Sequence, residues 1–119
     1  MVSMREAYEK IGANYSDACV RLMGEEMLSR FALKFLDDES MDQLEAALAA
    51  GDAKAAFMAV HTLKGVSQNL GFDNLYEPAF VVTEALRDAD IVDGAHDGMH
   101  ALRQQYAATM GALREVVGQ

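Results

Sequence analysis

The chain has 119 residues, 19 acidic and 10 basic side chains, and a formal net charge of −9. That length holds one domain with one modest core, and the acidic balance repels a phosphate backbone and provides no basic stripe, which argues against a nucleic-acid ligand. A single cysteine, Cys19, cannot form an internal disulfide, and neither a signal-peptide h-region nor an 18-residue apolar run is present. A reducing cytoplasm is therefore the expected compartment, with no membrane partner, and nothing in the sequence demands more than a monomer.

Proline occurs once, β-branched residues are sparse, Ala, Leu, Met, Glu and Gln are common, and no alternating run reaches strand length. The expected fold class is all-α, an antiparallel up-down four-helix bundle with one or two short N-terminal helices, spanning residues 1–119 as one domain. Ser3 and Glu6 form a capping box that starts a first helix running to about Ile11, with Met4, Ala7, Tyr8 and Ile11 on its apolar face. Ser16 and Asp17 start a second through Cys19, Val20, Leu22 and Met23, stopped by Gly24. Cys19 reads as a core residue and not as a thiol nucleophile.

The first long helix is expected from about 25 to 50, with any break falling near Ser40. Leu28, Phe31 and Phe35, widened by Met27 and Leu36, give its first stripe; Leu44, Ala47 and Leu48 give its second, and Gly51 ends it. The acidic run Asp37-Asp38-Glu39 reads as solvated helix ends and not as a metal site.

The next helix, 53–70, carries the chemistry. Asp52 is placed to cap it and Gly71 to end it in a left-handed turn. At roughly 100° per residue, Ala56, Ala59, Leu63, Val66 and Leu70 fall within about 40° of one line. His61 lies opposite that stripe, so it faces outward. Helical side chains lean towards the N-terminus, which puts Lys64 and Gly65 over the imidazole. Lys64 brings an ammonium beside whatever the ring carries, and Gly65 has no side chain to cover it. A mid-helix glycine costs about 1 kcal/mol relative to alanine. Close approach by a partner is one reason for it; a contact with another helix is the alternative, although Gly65 points along the His61 face. A neutral imidazole nitrogen can attack phosphorus, and a nearby lysine can stabilise the transferred charge, so His61 reads as a phosphoryl carrier.

Phe72-Asp73-Asn74 is a tight connection to an antiparallel neighbour, expected at 74–88 with Leu75, Ala79, Val82 and Leu86 inside. Pro78 requires either a late start near Glu77 or a distorted first turn. Arg87 to Gly94 reads as a polar loop, and the last helix, about 94–117, turns Met99, Leu102, Tyr106, Met110 or Thr109, Leu113 and Val117 inward. His96 and His100, one turn apart beside Asp93 and Asp97, have the spacing of two metal ligands. Gly94 and Gly98 weaken that turn and no second helix supplies a partner motif, so no metal is assigned. No Walker, kinase, Ser-His-Asp or Cys-His arrangement is present, and the chain is not expected to be an enzyme in its own right.

Together, His61, Leu63, Lys64, Gly65, Leu70, Gly71 and Leu75, with Ala59 before them, resemble the histidine-containing phosphotransfer (HPt) domains of multistep two-component phosphorelays. Leu22-Met23-Gly24 followed by Leu28, Phe31 and Phe35 is a weaker likeness to the segment that precedes the family's histidine helix. The resemblance implies that His61 accepts a phosphoryl group from a receiver-domain aspartyl phosphate and passes it to an Asp of another receiver. That receiver contributes the acidic residues and the Mg²⁺, and this chain holds no cofactor. It further implies that Lys64 stabilises phosphoryl charge, Gly65 permits approach and Gln68 flanks the site. Phe57, Met58 and Val60 are the candidates for an apolar docking surface, with packing against neighbouring helices as the alternative, most evenly balanced at Val60. Where the family often has a Gln or Glu that bonds the imidazole, this chain has Thr83 followed by Glu84, so the orienting role passes to Thr83, Glu84 or water. A helical-bundle interaction protein that keeps the scaffold without carrying phosphate is the rival reading, and a metal-binding bundle using His96 and His100 is a third.

Overall fold

The computed structural model describes residues 2–118, and within them the chain is all-helical. Seven α-helices are found among the described residues: α1 (Met4–Ile11), α2 (Tyr15–Arg21), α3 (Glu25–Lys34), α4 (Ser40–Ala49), α5 (Ala53–Asn69), α6 (Asp73–Leu86) and α7 (His96–Val116). Short 3-10 turns at Phe35–Asp37 and Asp93–Ala95 lead into α4 and α7. The core bundle is α4, α5, α6 and α7 in antiparallel sequence, each packed on the next, and α1 lies against α7. One apolar cluster runs through the molecule from Met4 to Leu113. No helix of the described residues is long and apolar enough to cross a membrane.

The helix ends follow from local chemistry. Ser3 and Glu6 form the reciprocal capping box. Asp52 accepts from Ala55 N–H at 3.0 Å and so caps α5. The expected long helix over 25–50 is interrupted a little earlier than Ser40: a 3-10 turn closes α3 at Phe35–Asp37. Asp38 then becomes extended and accepts from Ser40 N–H at 2.9 Å, which restarts the helix. Gly71 takes φ +71°, and any side chain there would collide with the Asn14 carbonyl oxygen, 2.6 Å from where its Cβ would stand. Glycine is required twice over at this point, for its backbone angle and for the close approach of the α1–α2 connection.

Several expectations need correction. The second helix starts after Asn14, whose side chain accepts from Asp17 N–H, and it ends at Arg21. Leu22 and Met23, expected inside the helix, lie beyond it: Met23 adopts φ +64° and Gly24 φ +127°, and both Val20 and Met23 are exposed. Phe31, expected on the core stripe, is 38% exposed, and Ala32 is fully buried beside it on α3. Cys19 is half-buried against the core. Pro78 neither delays nor ends α6. The helix begins at Asp73, after Phe72, and carries Pro78 as its sixth residue, so only the usual donor to the Asn74 carbonyl is missing.

Tyr8 ties α1 to the end of the histidine helix. Its ring is completely buried, packs edge-on to Tyr15 and against Phe72, and its hydroxyl donates to the Leu70 carbonyl at 2.7 Å. Burial holds the phenol well above its ordinary titration range, so it remains a donor at any pH at which the fold survives.

Tyr8→Phe should lower stability by about 1–3 kcal/mol, because the Leu70 carbonyl is left buried without that donor. Chemical denaturation of both proteins measures this. Gly111→Ala should raise stability by about 0.5–1 kcal/mol, since Gly111 is inside α7 and a methyl group there would meet no atom within 4 Å.

Candidate functional site

Helix α5 buries Ala53, Ala56, Ala59, Val60, Leu63 and Ser67, and the adjoining Leu70, while leaving the opposite face open. His61 is the ninth of its 17 residues and is exposed. The polar residues on the flanks are satisfied within the helix: Thr62 donates to the Met58 carbonyl at 3.0 Å and Ser67 to the Leu63 carbonyl at 2.7 Å. They therefore do not compete for the imidazole.

Lys64 is half-buried one turn beyond His61, with Nζ 5.8 Å from the centre of the Phe80 ring on α6, within cation–π range. Neither Lys64 nor Lys54, which shares the open face, has a carboxylate within 4 Å among the described residues. Gly65 is exposed, and a Cβ built on it would meet nothing within 4 Å. The alternative of a contact with another helix of this chain at Gly65 is thereby removed.

Gln68 is exposed at the same edge, and its backbone carbonyl accepts from Arg21 Nη1 on α2. Arg21 Nη2 also bonds Asp17 at 2.8 Å, so the guanidinium is fixed between α2 and α5. Arg21, Gly65, Gln68 and Asn69 line a shallow depression of about 290 Å³ beside the histidine face.

The structure rearranges the remaining candidates. Met58 is 60% exposed, but Val60 is completely buried. One residue before His61 is a rotation of roughly 100° about the helix axis, enough to carry a side chain off the open face. Val60 is a core residue and forms no part of a docking surface. Thr83 is also completely buried, and its hydroxyl donates to the Ala79 carbonyl one turn back at 2.7 Å. A short hydroxyl inside a helix finds its own backbone first, so Thr83 does not orient the imidazole. Glu84 is exposed but is engaged with Arg87, whose Nε and Nη2 donate to it at 3.0 and 3.4 Å. That hydrogen bond, aided by the Arg87 and Lys64 charges, holds the Glu84 carboxyl below the usual carboxylate range. Among the described residues, no protein group hydrogen-bonds to His61.

The imidazole does have an aromatic neighbour. Phe57, one turn earlier and half-buried, stacks with it at a centroid separation of 5.6 Å and an interplanar angle of 23°. The Arg87 guanidinium carbon is 5.2 Å from the centre of the same phenyl ring. His96 and His100 are exposed at the start of α7, and no group of three metal-ligating side chains forms among the described residues.

Three residues at this face, Phe80, Arg87 and Arg21, were not singled out by sequence reasoning. Phe80, Glu84 and Arg87 recur at spacings of four and three, which is a readable signal for one outward face of α6. Arg21 reaches the site only through the folding of α2 onto the end of α5, and local spacing carries no trace of that.

A family model described as Hpt domain matches residues 26–115, which is 90 of the 119 residues. No curated protein and no solved structure gives a match. The matched span runs from the first turn of α3 almost to the end of α7 and has His61 on its open face. This chain belongs to the Hpt domain family, the phosphocarrier modules of histidine phosphotransfer in phosphorelays, which interact with receiver domains.

Proposed function

We propose that His61 is the phosphoryl acceptor, taking the group from an aspartyl phosphate on one receiver domain and passing it to an aspartate on another. The observation that carries this reading is the bare surface at Gly65: a helix-weakening residue beside an exposed histidine, with no atom of the described chain over it. A partner loop can therefore come down onto the helix backbone next to the imidazole.

In the forward step a neutral ring nitrogen donates its lone pair to phosphorus as the acyl P–O bond breaks, and the electron pair leaves on the receiver's aspartate carboxylate. The proton on the other ring nitrogen stays in place, so the product is an N-phosphorylated imidazolium. The second transfer is the reverse of this step, with a different aspartate as nucleophile. Lys64 lies within one turn and lends positive charge to the phosphoryl oxygens as they move. Mg²⁺ belongs to the receiver and supplies charge neutralisation from that side. Met58 and Phe57 provide apolar docking surface on one flank, joined by Phe80, which is 41% exposed on α6. A groove of about 910 Å³ continues from Phe57 and Met58 past Leu86 to Asp88 and Asp90 and gives the partner a concave edge to seat against. The chain contributes the nucleophile and its surroundings and has no ATP-binding motif, so it acts as a carrier.

Incubation with a phosphorylated receiver and Mg²⁺ should place an acid-labile label on the protein and none on His61→Gln. Absence of label on the folded original, across several receivers, would favour the non-phosphorylated scaffold instead. Gly65→Ala should raise helix stability by about 1 kcal/mol, since the site is open, while slowing transfer from a receiver by ten-fold or more. Stability and transfer rates measured on the same sample check both signs; faster or unchanged transfer would remove the role assigned to Gly65.

A further inference from the structure

Thr83 faces the core and Glu84 is held by Arg87, which leaves open what fixes the plane of the imidazole. An exposed histidine on a helix has rotation available about both χ1 and χ2, and a nucleophile that samples many orientations reacts from few of them. The contact that restricts this one is aromatic. Phe57 is one turn before His61, where a helical side chain from position 61 leans back over it, and the two rings are nearly parallel at 23° with centres 5.6 Å apart. Phe57 is in turn restrained: it is half-buried, and the Arg87 guanidinium, itself gripped by Glu84, lies 5.2 Å from its ring centre. Arg87, Phe57 and His61 thus form a series of contacts that runs from α6 to the middle of α5.

We infer that Phe57 is the positioning residue of His61, holding the imidazole plane by ring stacking in place of a hydrogen bond. Offset stacking restrains the plane of a ring and engages neither nitrogen, so the nucleophilic lone pair stays available. The role differs from docking, because it acts on the histidine whether or not a receiver is present. It deepens the carrier reading above and rests on it for its chemical meaning, but the stack itself can be observed without any transfer.

The test uses the whole chain, with Phe57→Leu, which keeps apolar bulk and removes the flat face, Phe57→Tyr, which keeps the face, and Thr83→Val as a variant away from the imidazole. In NMR spectra, the His61 ring-proton resonances should move in Phe57→Leu as the phenyl ring current is lost, and should stay near their original positions in Phe57→Tyr and Thr83→Val. Phosphorylation by phosphoramidate, a small donor that needs no docking surface, should slow about three- to ten-fold in Phe57→Leu, the range expected for losing one aromatic pair, and recover in Phe57→Tyr. If Phe57→Leu leaves both the resonances and the phosphoramidate rate unchanged, and alters only the receiver concentration needed for half-maximal transfer, Phe57 is a docking residue and the inference fails. If the original protein takes no phosphoryl group from any donor, the carrier reading fails while the resonances still decide whether Phe57 holds the ring.

Discussion

The two-sidedness of α5 is the constraint on which the molecule is built. Short connections at both ends, Ala50 to Asp52 and Leu70 to Phe72, bring α4 and α6 against it as antiparallel neighbours, so its packed side is covered and one face remains open. The buried stripe is unusually small where the helix begins, with Ala53, Ala56 and Ala59 in succession, which permits close approach of the neighbours before Leu63 and Leu70 fill the wider end. Because the core is satisfied from that stripe, the opposite face carries no packing duty. A histidine, a lysine and a helix-weakening glycine can occupy it at the cost of helix propensity alone. The far end of α5 is closed from outside the bundle, by the Tyr8 hydroxyl on Leu70, Arg21 on Gln68 and the Asn14 backbone against Gly71. Helices α1 and α2 therefore clamp the terminus of the histidine helix, although they are outside the matched family span.

The electrostatics of the histidine face run against those of the whole chain. The protein carries a net charge of −9, yet Lys54, Lys64, Arg87 and Arg21 gather on or beside this one surface, four of its ten basic residues. At physiological ionic strength charges are screened over about 8 Å, so a group arriving at the imidazole responds mainly to these neighbours and little to the acidic remainder. Two of the four, Arg87 and Arg21, are held by carboxylates on their own helices, which fixes their positions while reducing their net contribution. Lys64 has a different restraint, the Phe80 ring, which orients an ammonium without neutralising it. That is the arrangement the proposed role of Lys64 requires, a positive charge held in place and still available to phosphoryl oxygens.

Much of this was legible in the sequence because periodicity and capping are local. The stripe of α6, that of α7 from Met99 to Leu113, the Ser3 box, the Asp52 cap, the left-handed Gly71 and the outward direction of His61 all follow from spacing and are present, whereas Val117, expected inward, lies past the end of α7 and is 43% exposed. The departures depend on more than spacing. Helix α2 stops at Arg21, short of the expected Gly24, and Met23 and Gly24 follow with positive φ angles, while on α3 Phe31 stays 38% exposed and its neighbour Ala32 is buried. Proline at position 78 was ambiguous because its steric rule concerns the preceding turn, and whether a helix tolerates the missing donor depends on what packs around it. Val60 was ambiguous for a similar reason: at the border between two faces, neighbouring helices decide its exposure. Arg21 depends wholly on tertiary structure.

Thr83 is kept from the imidazole by its own backbone. At the position where the resemblance leads one to expect a Gln or Glu, a threonine does more than shorten an arm. The β-branched hydroxyl is captured by the Ala79 carbonyl, which turns it into a core group on the stripe that also holds Ala79, Val82 and Leu86. What this part of the chain places near the histidine face comes from the outward positions Phe80 and Glu84 of α6 and from Arg87 just after it. Of these, Arg87 reaches the histidine only through Phe57. A hydrogen bond to one ring nitrogen fixes a tautomer as well as a plane, whereas a stacked ring fixes only the plane. In the proposed relay the same nitrogen must first attack an aspartyl phosphate and later release its phosphoryl group to another. Support that holds the ring without engaging either nitrogen suits both directions of transfer.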